Sequence, residues 1–341
     1  MTETLSDIGE FGLIDRIHTL IQSEGIQAPG LVLGIGDDTA SIRPQEGYEV
    51  LVTCDSLIEG RHYLADHTTA YDLGRRAMIV NISDIGAMGG APLYALVSLG
   101  LRADTPVSDI EQIYRGFMKE LAPFQATIIG GNIAKTEEAN FIDITLLGEA
   151  EKGKIVRRST ARSGDAILVT GFPGQALAGL LLLRETDQPE KLRDNPLVLA
   201  YTTPSHKARE GHAVAKSGCA HAMIDTSDGF LADLGHICDE SGVGAILVQQ
   251  NLPLNDDLRQ AAAKLDQDPH EFIMKDSDDY ELIITCSKDN IRMIRAAIAE
   301  VSKTLVTEVG HITEDKDQIK LRLPDGRERH LQLQGWDHFK R

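Results

Sequence analysis

Residues Tyr71–Leu101 read YDLGRRAMIVNISDIGAMGGAPLYALVSLGL, and a change of period inside this stretch decides the fold class. From Tyr71 to Met88 apolar residues recur at helical spacing, with Leu73, Ala77 and Val80 on one stripe. From Leu93 to Leu101 the run is almost continuously apolar and reads as a strand. Helix then strand, separated by a glycine-rich turn, is the unit from which mixed α/β domains are built.

The alternation extends both ways. Upstream, Glu10–Ile21 reads as a helix and Tyr48–Thr53 as a strand. Downstream, Pro106 opens a helix to about Leu121 behind a possible Asp104/Thr105 cap, and strands follow at Ala126–Ile129 and Phe141–Leu147. The charged stretch Glu151–Gly164 has little apolar periodicity and is the expected boundary between domains 1–150 and 151–341. Beyond it come a strand (Ala166–Thr170), an apolar helix (Gln175–Leu183), and a polar, proline-marked loop or short helix (Arg184–Pro204). A helix (Ser205–Ser217), a strand (Ala222–Asp225), a helix (Gly229–Ser241) and a strand (Ala245–Val248) come next. A strand (Tyr280–Cys286), a helix (Lys288–Val301) and short tail strands complete the chain. At 341 residues, about twice the usual domain size, two mixed α/β domains are expected.

A formal net charge of −18 argues against nucleic acid, whose phosphates most faces of the protein would repel. Any phosphate ligand must therefore arrive with cations. No apolar run reaches eighteen residues, so no membrane span is expected. The acidic, polar start at Met1–Glu10 lacks the basic and apolar regions of a signal peptide, which gives a cytoplasmic expectation. Cys54, Cys219, Cys238 and Cys286 lie far apart without metal-finger spacing, and reduced, mostly buried thiols are expected.

The informative pattern is the placement of acids. Five clusters fall at strand ends or beside glycines: Gly34-Ile35-Gly36-Asp37-Asp38, Thr53-Cys54-Asp55-Ser56, Asn81-Ile82-Ser83-Asp84, Asp225-Thr226-Ser227-Asp228-Gly229 and Asp276-Ser277-Asp278-Asp279-Tyr280-Glu281. Any one of them is more often a turn or a helix cap. Together they sit where mixed α/β proteins build ligand sites. Asn81 and Asp84 share a helix face, and Asp84 falls where the apolar stripe should continue, so its carboxylate needs a cation or strong donors. Grouped hard oxygen ligands suit Mg²⁺, which takes carboxylates together with substrate phosphates. The P-loop, dinucleotide and protein-kinase signatures are absent, as are zinc motifs and the hydrolase nucleophile elbow. Gly171-Phe172-Pro173-Gly174 could cradle a phosphate, but a plain strand-to-helix turn is the commoner meaning.

In their order along nearly the whole chain, these motifs resemble the thiamine-monophosphate kinase family, within the superfamily of aminoimidazole ribonucleotide synthetase and selenophosphate synthetase. The resemblance rests on Gly9-Glu10-Phe11, the clusters at 34–38, 53–63, 81–89 and 225–229, and Gly130-Gly131-Asn132. It also rests on Arg158 before Ser163-Gly164-Asp165, on Asp279–Leu282, and on the closing Gly335-Trp336-Asp337-His338-Phe339. Glu59-Gly60 followed by His62 and the closing segment point to the thiamine-phosphate branch.

The resemblance implies an N-terminal α/β domain that pairs with its twin in a homodimer, forming a shared β-barrel. A C-terminal α/β domain would complete the fold, with ATP in the cleft between domains. It implies that Asp38, Thr53, Asp55, Asp84, Asp225 and Asp228 hold Mg²⁺. Cys54 would contribute through its carbonyl, and Asn132 through its amide oxygen where the family usually has Asp. Asp38, Asn132, Arg158 and Ser227 would contact ATP. His62, Asp278 and Trp336 would contact thiamine monophosphate, Trp336 by stacking on a cationic ring. Asp276-Ser277-Asp278 stands where the family has Gly-Gly-Glu, and Ile133-Ala134-Lys135 where it has Thr-Thr-Arg. The acceptor, a phosphate monoester already ionised at neutral pH, would need no general base. Two other readings stay open: a superfamily relative using ATP on a different acceptor, and a catalytically silent nucleotide-binding dimer.

Overall fold

The computed structural model describes residues 3–36, 39–316 and 318–332. The chain divides into two compact units, Met1–Ile85 with Gly90–Lys152, and Gly86–Gly89 with Gly153–Arg341. Both mix helices and sheets, as the alternating pattern predicts.

The first unit contains α1 (Leu5–Ser23), β1 (Leu31–Leu33), β2 (Ser41–Ile42), β3 (Tyr48–Ile58), α2 (Ala70–Ala87), β4 (Ala91–Leu101), α3 (Val107–Leu121), β5 (Thr127–Lys135) and β6 (Phe141–Glu151). Its main sheet has the order β3-β6-β4-β5, antiparallel except for the β4–β5 pair, and β1–β2 form a separate ribbon. Strict alternation in β6 buries Ile142, Ile144 and Leu146 on one face and leaves Phe141, Asp143 and Thr145 on the other. The buried stripe of α3 (Ile110, Ile113, Tyr114, Phe117, Leu121) has the three-and-four spacing of a helix with one core face. Helices α2 and α3 cross so closely that a Cβ on Gly74 would stand 2.0 Å from the Ile113 carbonyl oxygen, and one on Gly116 would stand 2.3 Å from that of Tyr71. Only glycine fits at this crossing.

The second unit contains β7 (Ala166–Thr170), α4 (Gln175–Arg184), α5 (Pro196–Thr202), α6 (Ala208–Ser217), β8 (Ala220–Asp225), α7 (Phe230–Ser241), β9 (Gly244–Val248), α8 (Asp256–Leu265), α9 (Pro269–Met274), β10 (Leu282–Cys286), α10 (Ile291–Val301), β11 (Val306–Thr313), β12 (Ile319–Arg322) and β13 (Glu328–His330). Its sheet runs β13-β12-β9-β11-β7-β10-β8. One core lies between this sheet and α7, with Phe230, Leu234 and Ile237 against Ile167, Val169, Leu247 and Ile283. A second lies on the opposite face, with Val214 and Ile294 against Leu168, Met223 and Ile284.

Several expected boundaries change; the first helix begins at Leu5 instead of Glu10, and the strand expected over Phe141–Leu147 runs on to Glu151. The strand expected over Tyr48–Thr53 runs on to Ile58, through Asp55 and Ser56, because its two faces have different surroundings and polar residues are tolerated there. The strand expected over Ala126–Ile129 continues to Lys135, past a register shift where Ala95 pairs with Ile128 but Leu96 pairs with Gly130. The helix expected from Ser205 starts at Ala208, since Ser205–Lys207 are engaged in side-chain contacts described below. Cys219, Cys238 and Cys286 are buried, Cys54 is exposed, and all four are free. Among the described residues, no helix is long and apolar enough to cross a membrane.

Candidate active site

Two of the five acidic clusters meet within the first unit. Thr53 and Asp55 point from β3 towards Asp84 on α2. The Thr53 hydroxyl donates to Asp84 Oδ2, and Asp55 and Asp84 are themselves hydrogen-bonded. Two carboxyl groups in contact can hold only one negative charge easily. Burial first, then the Asp84 charge, pushes the Asp55 carboxyl up to about 7, and Asp143 adds to the shift. Burial also raises Asp84, against the Thr53 and Asp55 hydrogen bonds that lower it. The pair therefore keeps a proton that a divalent cation would displace.

Asp143, which sequence reasoning did not single out, lies on the other face of the sheet. There it accepts from Ser56 Oγ, and its Oδ1 is 3.5 Å from Cys54 Sγ. The strand register aligns Ser56, Asp143, Ser98 and Asn132 in one row across all four strands. Alternation in β6 was the only signal for Asp143: it marks an outward position without saying what lies beside it.

Three further motifs line one cavity of about 140 Å³ at β5. Its walls include Glu10 of α1, Ile35, and Gly130-Gly131-Asn132, with Val97, Tyr114 and Ile128 behind them. A Cβ on Gly131 would stand 1.9 Å from the Val97 carbonyl oxygen, so the second glycine is required by close strand approach. His62 is half-buried, and its Nδ1 accepts from the Ile58 N–H at 3.0 Å, which puts the ring proton on Nε2. Asp38 and Trp336 lie outside the described residues.

The other two clusters meet within the second unit. Asp225 ends β8 opposite Leu282 of β10, and the chain then turns through Thr226–Gly229 into α7. Gly229 has φ of +111°, and a Cβ there would stand 2.7 Å from the Lys275 carbonyl oxygen. The loop thus lies against Lys275–Ser277, and the Asp228 charge raises Asp276 further after burial. In the first turn of α7, buried Asp233 accepts from the Asp228 N–H at 3.1 Å. Burial, then the Asp225 and Asp228 charges, push Asp233 up to about 8. Ligand atoms of Asp228, Asp233 and His236 all lie within 4.8 Å of one another. The sequence hides Asp233 and His236 because both read as ordinary helix positions. Ser227 is exposed, Asp278 is half-buried, and exposed Arg158 pairs with Glu240 at 2.6 Å.

Not every acid in these clusters is open to a ligand. Asp279 accepts from the Gly174 and Ala176 N–H groups at 2.6 and 2.8 Å, so it caps α4 from a hundred residues away. Those amides are thereby occupied, and Gly171–Gly174 is the structural turn that the commoner reading of its glycines predicts.

These shifts predict a pH effect. Asp55 at about 7 and Asp233 at about 8 stand above the ordinary carboxylate value of about 4 that holds in the unfolded chain. Between those limits the folded state binds more protons than the unfolded one, so stability falls as pH rises through the folded values. Without metal, the melting temperature of D55N should change less than that of the wild type between about pH 5 and pH 8. Equal changes in the two proteins would show that the Asp55–Asp84 contact does not store this repulsion.

The chain matches two family models: AIR synthase related protein, N-terminal domain, over residues 36–150, and its C-terminal domain over residues 162–321. It is 33% identical to the thiamine-monophosphate kinase of Aquifex aeolicus over 336 residues, covering 98% of this chain and 99% of that one. The enzyme of that name from Bacillus subtilis is 31% identical, over 96% and 99%. Among solved structures, AaThiL complexed with AMPPCP and TMP superposes with a TM-score of 0.75 at 33% identity, covering 99% of this chain and all of that one. The thiamine-monophosphate kinase of Stenotrophomonas maltophilia gives 0.78 at 30%, over 94% and 98%. The hydrogenase maturation protein HypE shares the fold at 18% identity, with a TM-score of 0.73.

Proposed function

The chain belongs to the AIR synthase related family and, within it, to the thiamine-monophosphate kinases, and on that premise we propose that it transfers the γ-phosphoryl group of ATP to thiamine monophosphate, giving thiamine diphosphate. The observation that carries this reading is the contact between Asp55 and Asp84: a half-buried carboxylate pair holding a proton is a poor fold element but a good site for a hard divalent cation.

Asp38, Thr53, Asp55, Asp84, Asp225 and Asp228 are the proposed Mg²⁺ ligands, with the Cys54 carbonyl and the Asn132 amide oxygen beside them. When bound, Mg²⁺ neutralises phosphate charge that a chain of net charge −18 would otherwise repel. Loss of the shared Asp55–Asp84 proton readies that pair for the cation. Because each unit carries its own acid set, the reading extends to Mg²⁺ uptake beyond the ion that travels with ATP.

The acceptor oxygen is already ionised, so the chain's task is to position two anions in line rather than to move a proton. Ser227 and Arg158 are assigned to the nucleotide. Arg158 can leave Glu240 at little cost, because an exposed ion pair contributes about 0–1 kcal/mol. His62, through its Nε2–H, Asp278 and Trp336 are assigned to thiamine monophosphate.

The homodimer belongs to the same reading. The four-stranded sheet is open, and its outer face exposes Val50, Val52, Ile58 and Leu96, with Val52 63% accessible. Such a face calls for a partner, and a second copy supplies a matching sheet to close a barrel. A cytoplasmic location accords with four unpaired cysteines.

Incubation with Mg²⁺ and ATP, with thiamine monophosphate and free thiamine in parallel, tests the function by chromatography of the products. Thiamine diphosphate should form from the monophosphate alone. Product from free thiamine, or from neither, would overturn the acceptor assignment.

A further inference from the structure

Thr226 stands between the two acids of the Asp225–Asp228 loop. It is fully buried, and all its polar groups are bound to one neighbouring segment. Its N–H donates to the Glu281 carbonyl at 2.8 Å, its carbonyl accepts from the Tyr280 N–H at 2.9 Å, and its Oγ1 accepts from the Glu281 N–H at 3.0 Å. The loop is therefore only as well placed as residues 280–281.

That segment is held under strain. Tyr280 is a buried, non-glycine residue with φ of +55°, a left-handed conformation that persists only where the surroundings enforce it. On one side Asp279 is locked onto the α4 amides. On the other, Glu281 Oε1 lies 3.2 Å from Lys207 Nζ, and Oε2 accepts from Thr170 Oγ1. The same Lys207 ammonium donates to the Ser205 carbonyl at 2.6 Å. Both side chains of the Lys207–Glu281 pair are 8% exposed, and a Cβ on Gly171 would stand 2.0 Å from Glu281 Oε1. Burying an ion pair returns little net stability, because desolvation offsets the attraction. What this pair supplies is a single position for Glu281.

We propose that Lys207 is a positioning residue for the phosphoryl transfer: its ammonium fixes Glu281, Glu281 fixes Thr226, and Thr226 sets the spacing of Asp225 and Asp228 on which Mg²⁺ affinity depends. Lys207 touches neither substrate nor metal. The inference rests on the reading that this loop holds Mg²⁺.

The test compares wild type, K207M, K207R and T226V. In each, Mg²⁺-dependent ATP binding is measured by calorimetry, and the rate with thiamine monophosphate is followed against free Mg²⁺. Changes to outer groups that orient metal ligands cost about 10- to 100-fold in affinity or activity. K207M should raise the free Mg²⁺ needed for half-maximal rate by about tenfold or more, with most of the rate recovered at saturating Mg²⁺. K207R, which keeps the charge, should lie closer to wild type. T226V breaks the chain one link further on, leaves the Lys207–Glu281 pair intact, and should shift the Mg²⁺ midpoint in the same direction. It decides the matter should K207M fail to fold. A lowered melting temperature with an unchanged Mg²⁺ midpoint in these variants would overturn the inference alone. A wild-type chain without Mg²⁺-dependent ATP binding would overturn the underlying reading and the inference with it.

Discussion

Replacing Asp84 by Asn should lower turnover of thiamine monophosphate by at least about a hundredfold while leaving the metal-free protein as stable as before, or more so. The first half follows from the ligand set: the change removes a charge from a proposed Mg²⁺ site, and even groups one shell further out cost about 10- to 100-fold. The second half follows from the same contact seen without metal. Asp55 is raised to about 7 by burial and by the Asp84 charge, so above that pH two half-buried anions repel. An amide at position 84 removes the repulsion and can still accept the Thr53 hydroxyl. The check is to measure kcat and melting temperature on one preparation at about pH 8, above the raised Asp55 value. A variant that loses activity only by losing stability would assign Asp84 to the fold instead of the chemistry.

Replacing Val52 by Asp should convert the proposed dimer to a monomer. Val52 is 63% exposed on the open face of the four-stranded sheet, so the free subunit tolerates a carboxylate there. In a two-fold interface the change appears twice and places two unpaired charges in an apolar contact. A dissociation constant raised by about a hundredfold corresponds to about 2.7 kcal/mol, a modest demand for such a burial. Light scattering on wild type and V52D gives the answer. A V52D protein that remains as dimeric as the wild type would move the interface to another face.

Much of this arrangement is legible in the chain alone, for identifiable reasons. The period change inside Tyr71–Leu101 predicts α2 and β4 because helix and strand differ most clearly where both are largely buried. The β3 strand reads short because Asp55 and Ser56 break the apolar pattern, and both break it for the site: one meets Asp84 and the other Asp143. The acid clusters are visible as composition, but which acids are ligands and which are caps is not. Asp279 and Glu281 look like Asp228 on paper. Only folding brings the α4 amides and Lys207 to them, from 105 and 74 residues away in the sequence. Asp143 and Asp233 escape for the converse reason, since a lone acid in a strand or a helix turn carries no local signal. Helix α8 is absent from the reading because its short apolar set, Leu258, Ala261 and Ala262, is too small to mark a period.

Two carboxylate sets, one in each unit, are proposed to take Mg²⁺ beyond the ion that arrives with ATP. The deciding measurement is the initial rate at fixed, saturating ATP and thiamine monophosphate as total Mg²⁺ is raised past the ATP concentration. The rate should continue to climb well after every ATP carries its own Mg²⁺, and then level off. A rate that reaches its plateau as soon as ATP is fully complexed would contradict the account.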